Sequence, residues 1–458
     1  MRNLPKVHFM GIGGSGMSAV AGIAHEYGYE VDGCDVDIDS PYIFKLKNKV
    51  SIKKGHSPDH LVNRDLLVVS PAVYFKYPPE SEIVGFANKL TWQEFLGKYL
   101  QQDKEVIAVS GTHGKSTTSA FLALVFEKAG FYPSAMVGAK LYEWGENYKA
   151  GKGKIFVTEA DEFYDNFLNY SPEAIILNNI EFDHPDYFSS IRKVIESFKK
   201  HVLSLRGKKI LVFNNNSPGV RKLLKGVNFM HEGIRAYSYS VGKNSADFRA
   251  FITGRSSKGT SFVVHWKGFN DKEEFFTNLC GDYNISNIMG VIALSTIYGI
   301  KPSIIRKVLD SFIGISRRLE LLGEKRGIFV YDDYAHHPTA IKKTISALKQ
   351  KHPMSRLYVV VEPHSFSRVK RLLKGYAQAF RDAYCVVIAP IFKGRDKEDY
   401  GMSEEKLAKV VVNDRVWYSY DFKEIAARLA KELKKHDVVV VMGAGKSSEL
   451  ARVIFKSI

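Results

Sequence analysis

The passage from Val106 to Lys128 limits the fold more than any other. Val106-Ile-Ala-Val-Ser110 reads as a strand. It runs directly into Gly111-Thr-His-Gly-Lys-Ser-Thr117 and then into an apolar helical stretch that ends near Lys128. A strand, a glycine loop and a helix in that order aim the free N–H groups of the helix start at one spot, which favours phosphate oxygens. Lys115 can neutralise the outer phosphates of a nucleoside triphosphate, and the Ser116 hydroxyl can bind Mg2+. The loop departs from the usual GxxxxGK[ST] spacing. Val109 stands at the expected first glycine, and the glycine arrives two residues later as Gly111.

Strands and helices alternate in three segments, so the expected fold class is α/β with three domains. The first segment opens with the strand Lys6-Val-His-Phe-Met10, the loop Gly11-Ile-Gly-Gly-Ser-Gly16 and a helix with Met17, Val20, Ile23 and Ala24 on one face. Strands at 29–35 and 66–70 follow. The second contains the phosphate loop, strands at 154–158 and 174–178, alternating patches between 234 and 280 that look antiparallel, and a helix from Asn284 to Tyr298. The third has strand candidates at 327–331, 357–361, 385–389 and 437–442 with helices between them. The expected domains are 1–104, 105–314 and 315–458.

A metal held by one hydroxyl needs further hard donors. Glu159-Ala-Asp-Glu162 directly follows the strand 154–158, and Ile180-Glu-Phe-Asp-His184 follows the strand 174–178. Parallel strands place their C-terminal ends on one sheet edge, where ligands bind in such folds. Ser116, Glu159 and His184 are therefore the expected metal donors. The first glycine loop, Gly11-x-Gly13-x-x-Gly16 with Asp35 at the end of the next strand, matches a dinucleotide fingerprint. It fits any pyrophosphate. A nicotinamide dehydrogenase is one reading; a nucleotide-linked substrate beside an ATP-type loop is the more economical one.

Composition narrows the partners. Lys+Arg exceeds Asp+Glu by 66 − 49 = 17 charges, which favours anionic ligands. A basic nucleic-acid binder would need stacking aromatics along a basic stripe, yet the aromatics fall mostly within apolar strands and helices, so no nucleic acid is expected. Cys34, Cys280 and Cys385 lie far apart with no CxxC pair, which argues for a reducing cytoplasm and against a structural zinc site. No apolar run approaches the roughly 20 residues of a membrane helix, so no membrane insertion is expected. The N-terminus is too short and interrupted for a signal peptide.

Motifs across nearly the whole chain resemble the Mur ligase family. They are Gly11-Ile-Gly-Gly-Ser-Gly-Met17, Ser70-Pro-Ala72, Gly111-Thr-His-Gly-Lys-Ser-Thr117, Glu159-Ala-Asp-Glu162 and Phe182-Asp-His-Pro-Asp-Tyr-Phe188, followed by Gly314-Ile-Ser-Arg-Arg-Leu-Glu320, Asp332-Asp-Tyr-Ala-His-His-Pro338, Pro363-His-Ser-Phe-Ser-Arg368 and Met442-Gly-Ala-Gly445. The late glycine of the phosphate loop is itself a family trait. The resemblance implies a Rossmann-like N-terminal domain for a UDP-sugar, a central P-loop ATPase domain and a Rossmann-like C-terminal domain that delivers an amine. It is greatest to members that use ATP and Mg2+ to join L-alanine to the carboxylate of UDP-N-acetylmuramate for peptidoglycan synthesis. Members that attach a murein tripeptide are the alternative.

The resemblance also implies roles. Gly13, Gly14, Ser15, Gly16, Asp35, His56 and Ser70 fall at sugar-nucleotide positions. Gly111 to Thr117, including Thr112, His113 and Gly114, hold the ATP phosphates. Asn284 and Asn287 approach the adenine, although Tyr283 stands where the family usually has His. Asp332 or Asp333 approaches the ribose, while Tyr334, His364 and Arg368 face the incoming substrate or the phosphoryl group. Arg317 suits phosphate or ribose through its forked donors. Lys115 and His184 are expected to serve the phosphoryl step. His336 or His337 is expected to take the proton of the attacking amine. A hinge is expected at 314–318, with a monomer or weak homodimer as the assembly.

Overall fold

The computed structural model describes residues 4–71, 73, 86–266 and 272–458. Ala72 of the Ser70-Pro-Ala72 motif lies outside these. The architecture is three α/β domains, each built on one sheet.

The first sheet contains β1 (Lys6–Met10), β2 (Glu30–Asp35), β3 (Ser51–Lys54), β4 (Leu66–Val69) and β5 (Lys89–Thr91), all parallel, in the order β3-β2-β1-β4-β5. Helix α1 (Ser15–Glu26) leaves the glycine loop that follows β1. The short β3 and β5 have no long apolar run, and the sequence pattern did not mark them.

The central sheet has ten strands: β6 (Glu105–Ser110), β7 (Ser134–Leu141), β8 (Glu146–Lys149), β9 (Ile155–Ala160), β10 (Ala174–Leu177), β11 (Ile210–Asn214), β12 (Arg235–Val241), β13 (Phe248–Ser256), β14 (Gly259–Trp266) and β15 (Glu273–Thr277). Their order is β15-β14-β13-β12-β11-β10-β6-β9-β7-β8. Strands β13 to β15 are antiparallel, as the alternating patches suggest. β12 is a correction, because it pairs in parallel with both β11 and β13. Parallel strands β10, β6 and β9 sit side by side, so the loops after them share one edge. Helix α2 (Lys115–Lys128) follows β6, and α3 (Asp282–Ile297) packs against α2.

The third sheet contains β16 (Glu320–Lys325), β17 (Ile328–Asp333), β18 (Leu357–Glu362), β19 (Cys385–Ile388), β20 (Val416–Tyr418) and β21 (Val438–Gly443). Its order is β16-β17-β21-β18-β19-β20, parallel except for the edge strand β16. Helices α4 (Pro338–Lys351) and α5 (Ser447–Ser457) follow β17 and β21.

The cores are unequally shared. One buried cluster runs from Val7, Phe9 and Val20 through Phe95, Leu96 and Leu100 to Val106, Phe156 and Ile175, and so joins the first two sheets. The third sheet keeps its apolar residues in two clusters of its own. Its contact with the centre is mainly polar: Gln350 Nε2 donates to Ser256 O, Gly259 O and Thr260 Oγ1, and Ser316 N donates to Lys140 O. The seam is also crossed by the buried Arg368–Asp183 ion pair, so these polar contacts hold the third domain against the centre. Gly314, Arg317 and Leu319 all have left-handed backbone at the connection.

Candidate active site

A cleft of about 1370 Å³ is lined by all three domains. Its floor is the phosphate loop. Gly114 has φ +83°, and a Cβ there would stand 2.3 Å from Asn287 Oδ1, so only glycine lets α3 close against the start of α2. The loop is tied down by Thr112 N to Asn179 O (3.0 Å) and His113 N to Asn179 Oδ1 (2.9 Å). Lys115 Nζ donates to Gly111 O (2.7 Å) and pairs with Glu162 (2.8 Å) and Asp161 (3.4 Å). Burial opposes its charge, but Glu162 and Asp161 outweigh burial and push its pKa up.

Glu159 ends β9 beside this loop. Gly138 N donates to its Oε1, and Ser116 hydrogen-bonds to it. A Cβ on Gly138 would fall 2.8 Å and 2.9 Å from the Glu159 oxygens and 2.9 Å from Ser116 Oγ. Burial raises the Glu159 pKa, with the Gly138 N–H and Ser116 offsetting part of it. A hydroxyl and a buried carboxylate around a gap of this size suit a small hard cation such as Mg2+. His184 stands with Asp161 and Glu162, the three offering donor atoms within 4.8 Å of one another. Those two acids follow the same strand as Glu159, and sequence reasoning gave them no role.

The opposite wall comes from the third domain. Arg368, almost wholly buried, donates from Nε to Asp183 Oδ1 (2.8 Å) across the domain seam. Its Nη1 lies 2.8 Å from His364 Nδ1 and its Nη2 3.4 Å from His184 Nδ1. Burial alone would raise the Asp183 carboxyl; the charges of His184 and Arg368 hold it well below the usual range. Burial and then Arg368 push His364 down to about 4.

The adjacent histidines differ. His337 caps α4: its Nδ1 accepts from Thr339 N (3.2 Å), so its Nε2–H donates to Phe182 O (3.2 Å). Both of its nitrogens are engaged. The His336 Nδ1–H donates to Tyr334 O (3.0 Å), which leaves a bare Nε2. Burial, then Arg368, lowers its pKa well below the ordinary value. Glu181 joins the seam by accepting from Thr339 Oγ1 (2.7 Å) and lying 3.5 Å from His113 Nε2. Burial opposes its ionisation, yet His113 and Thr339 hold it down at about 2.

The remaining expected residues divide. Ser15, Gly16, Thr112, Thr117, Asn284, Asn287, Arg317, Asp333 and Tyr334 line the cleft, whereas Gly13, Gly14, Asp35, His56, Ser70, Gly111 and Asp332 do not. Asp35 Oδ2 accepts from Gly13 N (2.7 Å), so this acid braces the first glycine loop. Asp333 is spent internally on Leu319 N (2.7 Å) and Ala335 N (2.8 Å). Asp332 Oδ2 lies 3.5 Å from Arg317 Nε in an ion pair, and Ser448 hydrogen-bonds to the same carboxylate. Asp332 Oδ1 and Arg317 Nε are buried without hydrogen-bond partners among the described residues. Arg317 otherwise donates to Gly443 O and Ser447 Oγ and lies, like Arg318, 5.0 Å over the Tyr334 ring.

The glycine turn after β21 is closed by an acid of its own chain. Glu362 fills it, accepting from Gly445 N, Lys446 N and Ser447 N at 2.8–3.0 Å. The Glu362 carboxylate thereby takes up the N–H groups that open α5. Sequence reasoning missed Glu362, because β18 and the turn after β21 become neighbours only in the folded sheet.

Known families match the chain in three successive stretches. Residues 6–100 match the Mur ligase family catalytic domain, 109–295 the Mur ligase middle domain, and 317–445 the Mur ligase glutamate ligase domain. The UDP-N-acetylmuramate–L-alanine ligase of Caldicellulosiruptor bescii is 33% identical over 458 residues, 98% of each chain. The chain belongs to the Mur ligase family. Among solved structures, the UDP-N-acetylmuramate–alanine ligase of Thermotoga maritima superposes with a TM-score of 0.79 at 23% identity, covering 99% of this chain and 98% of that one. A murein peptide ligase from Psychrobacter arcticus gives 0.70 at 24% identity, with the same coverage. Both likenesses describe the fold of this Mur ligase.

Proposed function

We propose that this Mur ligase joins L-alanine to the carboxylate of UDP-N-acetylmuramate, converting ATP to ADP and phosphate through an acyl phosphate. The end-to-end identity to a ligase of that name carries the reading. The cleft supports it, because Lys115, Ser116 and Glu159 of the centre face His336, His364 and Arg368 of the third domain. We assign the three roles to residues 1–104, 105–314 and 315–458, and the reaction to the cytoplasm as a step of cell-wall precursor synthesis that growth and division require.

A carboxylate resists amines at neutral pH because oxide is a poor leaving group. Transfer of the γ-phosphoryl group forms a carboxyl–phosphate bond and breaks the bond to ADP. The amine then forms the amide and expels phosphate. Both first reactants are anionic, and Lys115 offsets their repulsion. Ser116 and Glu159 would hold Mg2+, which supplies further positive charge at the phosphates when bound. Arg368, with two N–H groups beyond its three partners, and His364 would orient the amino acid. His336, neutral with Nε2 bare, would accept the proton that the amine sheds as it attacks. His337 would hold the seam instead. Arg317, which lines the cleft, is assigned to the nucleotide with its ion-pair partner Asp332 behind it, as are Asn284 and Asn287. Ser15 Oγ donates to Gly138 O (3.2 Å), bringing the first glycine loop against the metal cradle. That loop, with Asp35, His56 and Ser70, is assigned to the sugar nucleotide.

A phosphate-release assay with UDP-N-acetylmuramate, ATP and Mg2+ tests the reading. L-alanine should give the highest kcat/KM, above glycine, L-serine and the murein tripeptide, and Lys115→Ala should abolish release. Preference for the tripeptide would move the chain to the recycling reaction. Full turnover by Lys115→Ala would overturn the site.

A further inference from the structure

The first sheet carries a polar cluster that the ligase chemistry does not use. Alternation along β1 sends Val7 and Phe9 into the shared core and leaves His8 and Met10 on the other face. In register, His8 faces Asp32 and Met10 faces Cys34 on β2. His8 and Cys34 are fully buried. The His8 Nε2 lies 3.2 Å from Cys34 Sγ, and His56 Nδ1 lies 3.2 Å from the same sulfur. His60, on the short turn Pro58–Leu61, places its ring 5.8 Å from that of His8. Its Nδ1 is buried and has no hydrogen-bond partner among the described residues.

We propose that His8, Cys34 and His60 form a site for a divalent cation of the zinc class. Their donor atoms lie within 4.8 Å of one another. A tetrahedral centre with the usual zinc–nitrogen and zinc–sulfur lengths holds its donors about 3.5 Å apart, so a small inward shift closes the site. The outer shell is already built: His8 Nδ1–H donates to Asp32 Oδ1 (2.8 Å), which fixes the tautomer with Nε2 bare. Arg64 holds that carboxylate through Nε (3.2 Å) and Nη2 (2.8 Å).

Imidazole and thiolate donors select zinc, cobalt or copper over magnesium, so this site and the oxygen cradle at Ser116 and Glu159 take different ions. The spacing of the three cysteines argues against a zinc site built from cysteines. One thiol met by imidazoles from β1 and a later turn escapes that test. Binding forms a sulfur–metal bond and releases the thiol proton to solvent. The Cys34 carbonyl accepts from Gly11 N (2.8 Å) and Ile12 N (3.2 Å), so the cation would brace the strand beneath the first glycine loop.

Cobalt titration of the chelator-treated, full-length protein in excess Mg2+ tests this. One equivalent of Co2+ should produce a thiolate-to-cobalt charge-transfer band and strong tetrahedral visible bands, both displaced by one equivalent of Zn2+. Cys34→Ser should remove the charge-transfer band, and Cys280→Ser should keep it. Asp32→Asn should weaken Zn2+ binding about 10–100-fold, and His60→Gln by at least as much. Circular dichroism checks each fold. If Cys34→Ser does not fold, the partly exposed His60→Gln decides. No charge-transfer band in the parent protein, its survival in folded Cys34→Ser, or unchanged affinity in His60→Gln overturns the proposal.

Discussion

The Asp183–Arg368 pair should fail when either partner is removed and recover when both are. The two side chains meet at 2.8 Å, both nearly excluded from solvent, and they belong to different domains. Replacing Asp183 by Asn keeps the shape and leaves a buried guanidinium with no full counter-charge. Breaking a buried pair in this way costs about 3–5 kcal/mol. Part of that cost is avoided if the polar seam opens and wets the arginine, so the lower end, about 3 kcal/mol, is expected. At about 2–4 °C per kcal/mol for units of this size, Tm should fall by roughly 6–12 °C. Arg368→Met should fall similarly by stranding Asp183. The double variant, with neither charge, should regain most of the loss, because the penalties are one penalty counted from two sides. Its activity should stay low, since Arg368 is also assigned to orienting the amino acid. Thermal scans of the four proteins, with phosphate release alongside, read both effects. A double variant as unstable as the sum of the singles refutes the reasoning.

Four further variants have expected outcomes. Gly138→Ala places a methyl within 2.9 Å of both Ser116 Oγ and a Glu159 oxygen; it should raise the Mg2+ concentration for half-maximal rate with little change in Tm, and an unchanged Mg2+ curve contradicts the cradle. His336→Gln should lower kcat by about 10²–10⁴-fold, the usual worth of an acid–base group. His337→Gln should chiefly lower Tm, and equal kcat losses in the two would contradict the separate roles. His201 is buried, stacked on Phe167, with neither ring nitrogen partnered among the described residues. Burial pushes its pKa down to about 3. The unfolded chain therefore binds this proton first, and stability is lost as pH falls from about 6.5 towards 3, on the order of 5 kcal/mol in all. His201→Leu should flatten that acid limb in urea unfolding midpoints, and an unchanged limb counts against it.

The sequence made some of this legible and hid the rest for physical reasons. Long apolar runs such as Val106–Ser110, Leu357–Val361 and Val438–Met442 are strands because a parallel sheet buries both faces. The short β3, β5 and β20 lack that signal, and β12 resembles an antiparallel strand because its alternation says nothing about direction. The phosphate loop was readable because its chemistry is local. The partners of Arg368 were not, since Asp183 and His184 stand in another domain. The choice between His336 and His337 rests on which ring nitrogens the fold already uses, and no spacing encodes that. The same limit hid the meeting of His8, Cys34 and His60.

The central claim is that the sugar's carboxylate is phosphorylated before the amine attacks. It is tested most directly by carrying 18O in both carboxylate oxygens of UDP-N-acetylmuramate through a single turnover with ATP and L-alanine, and weighing the released phosphate. An acyl phosphate leaves one labelled oxygen on that phosphate and one in the amide. Phosphate released without label, alongside labelled amide product, would contradict it.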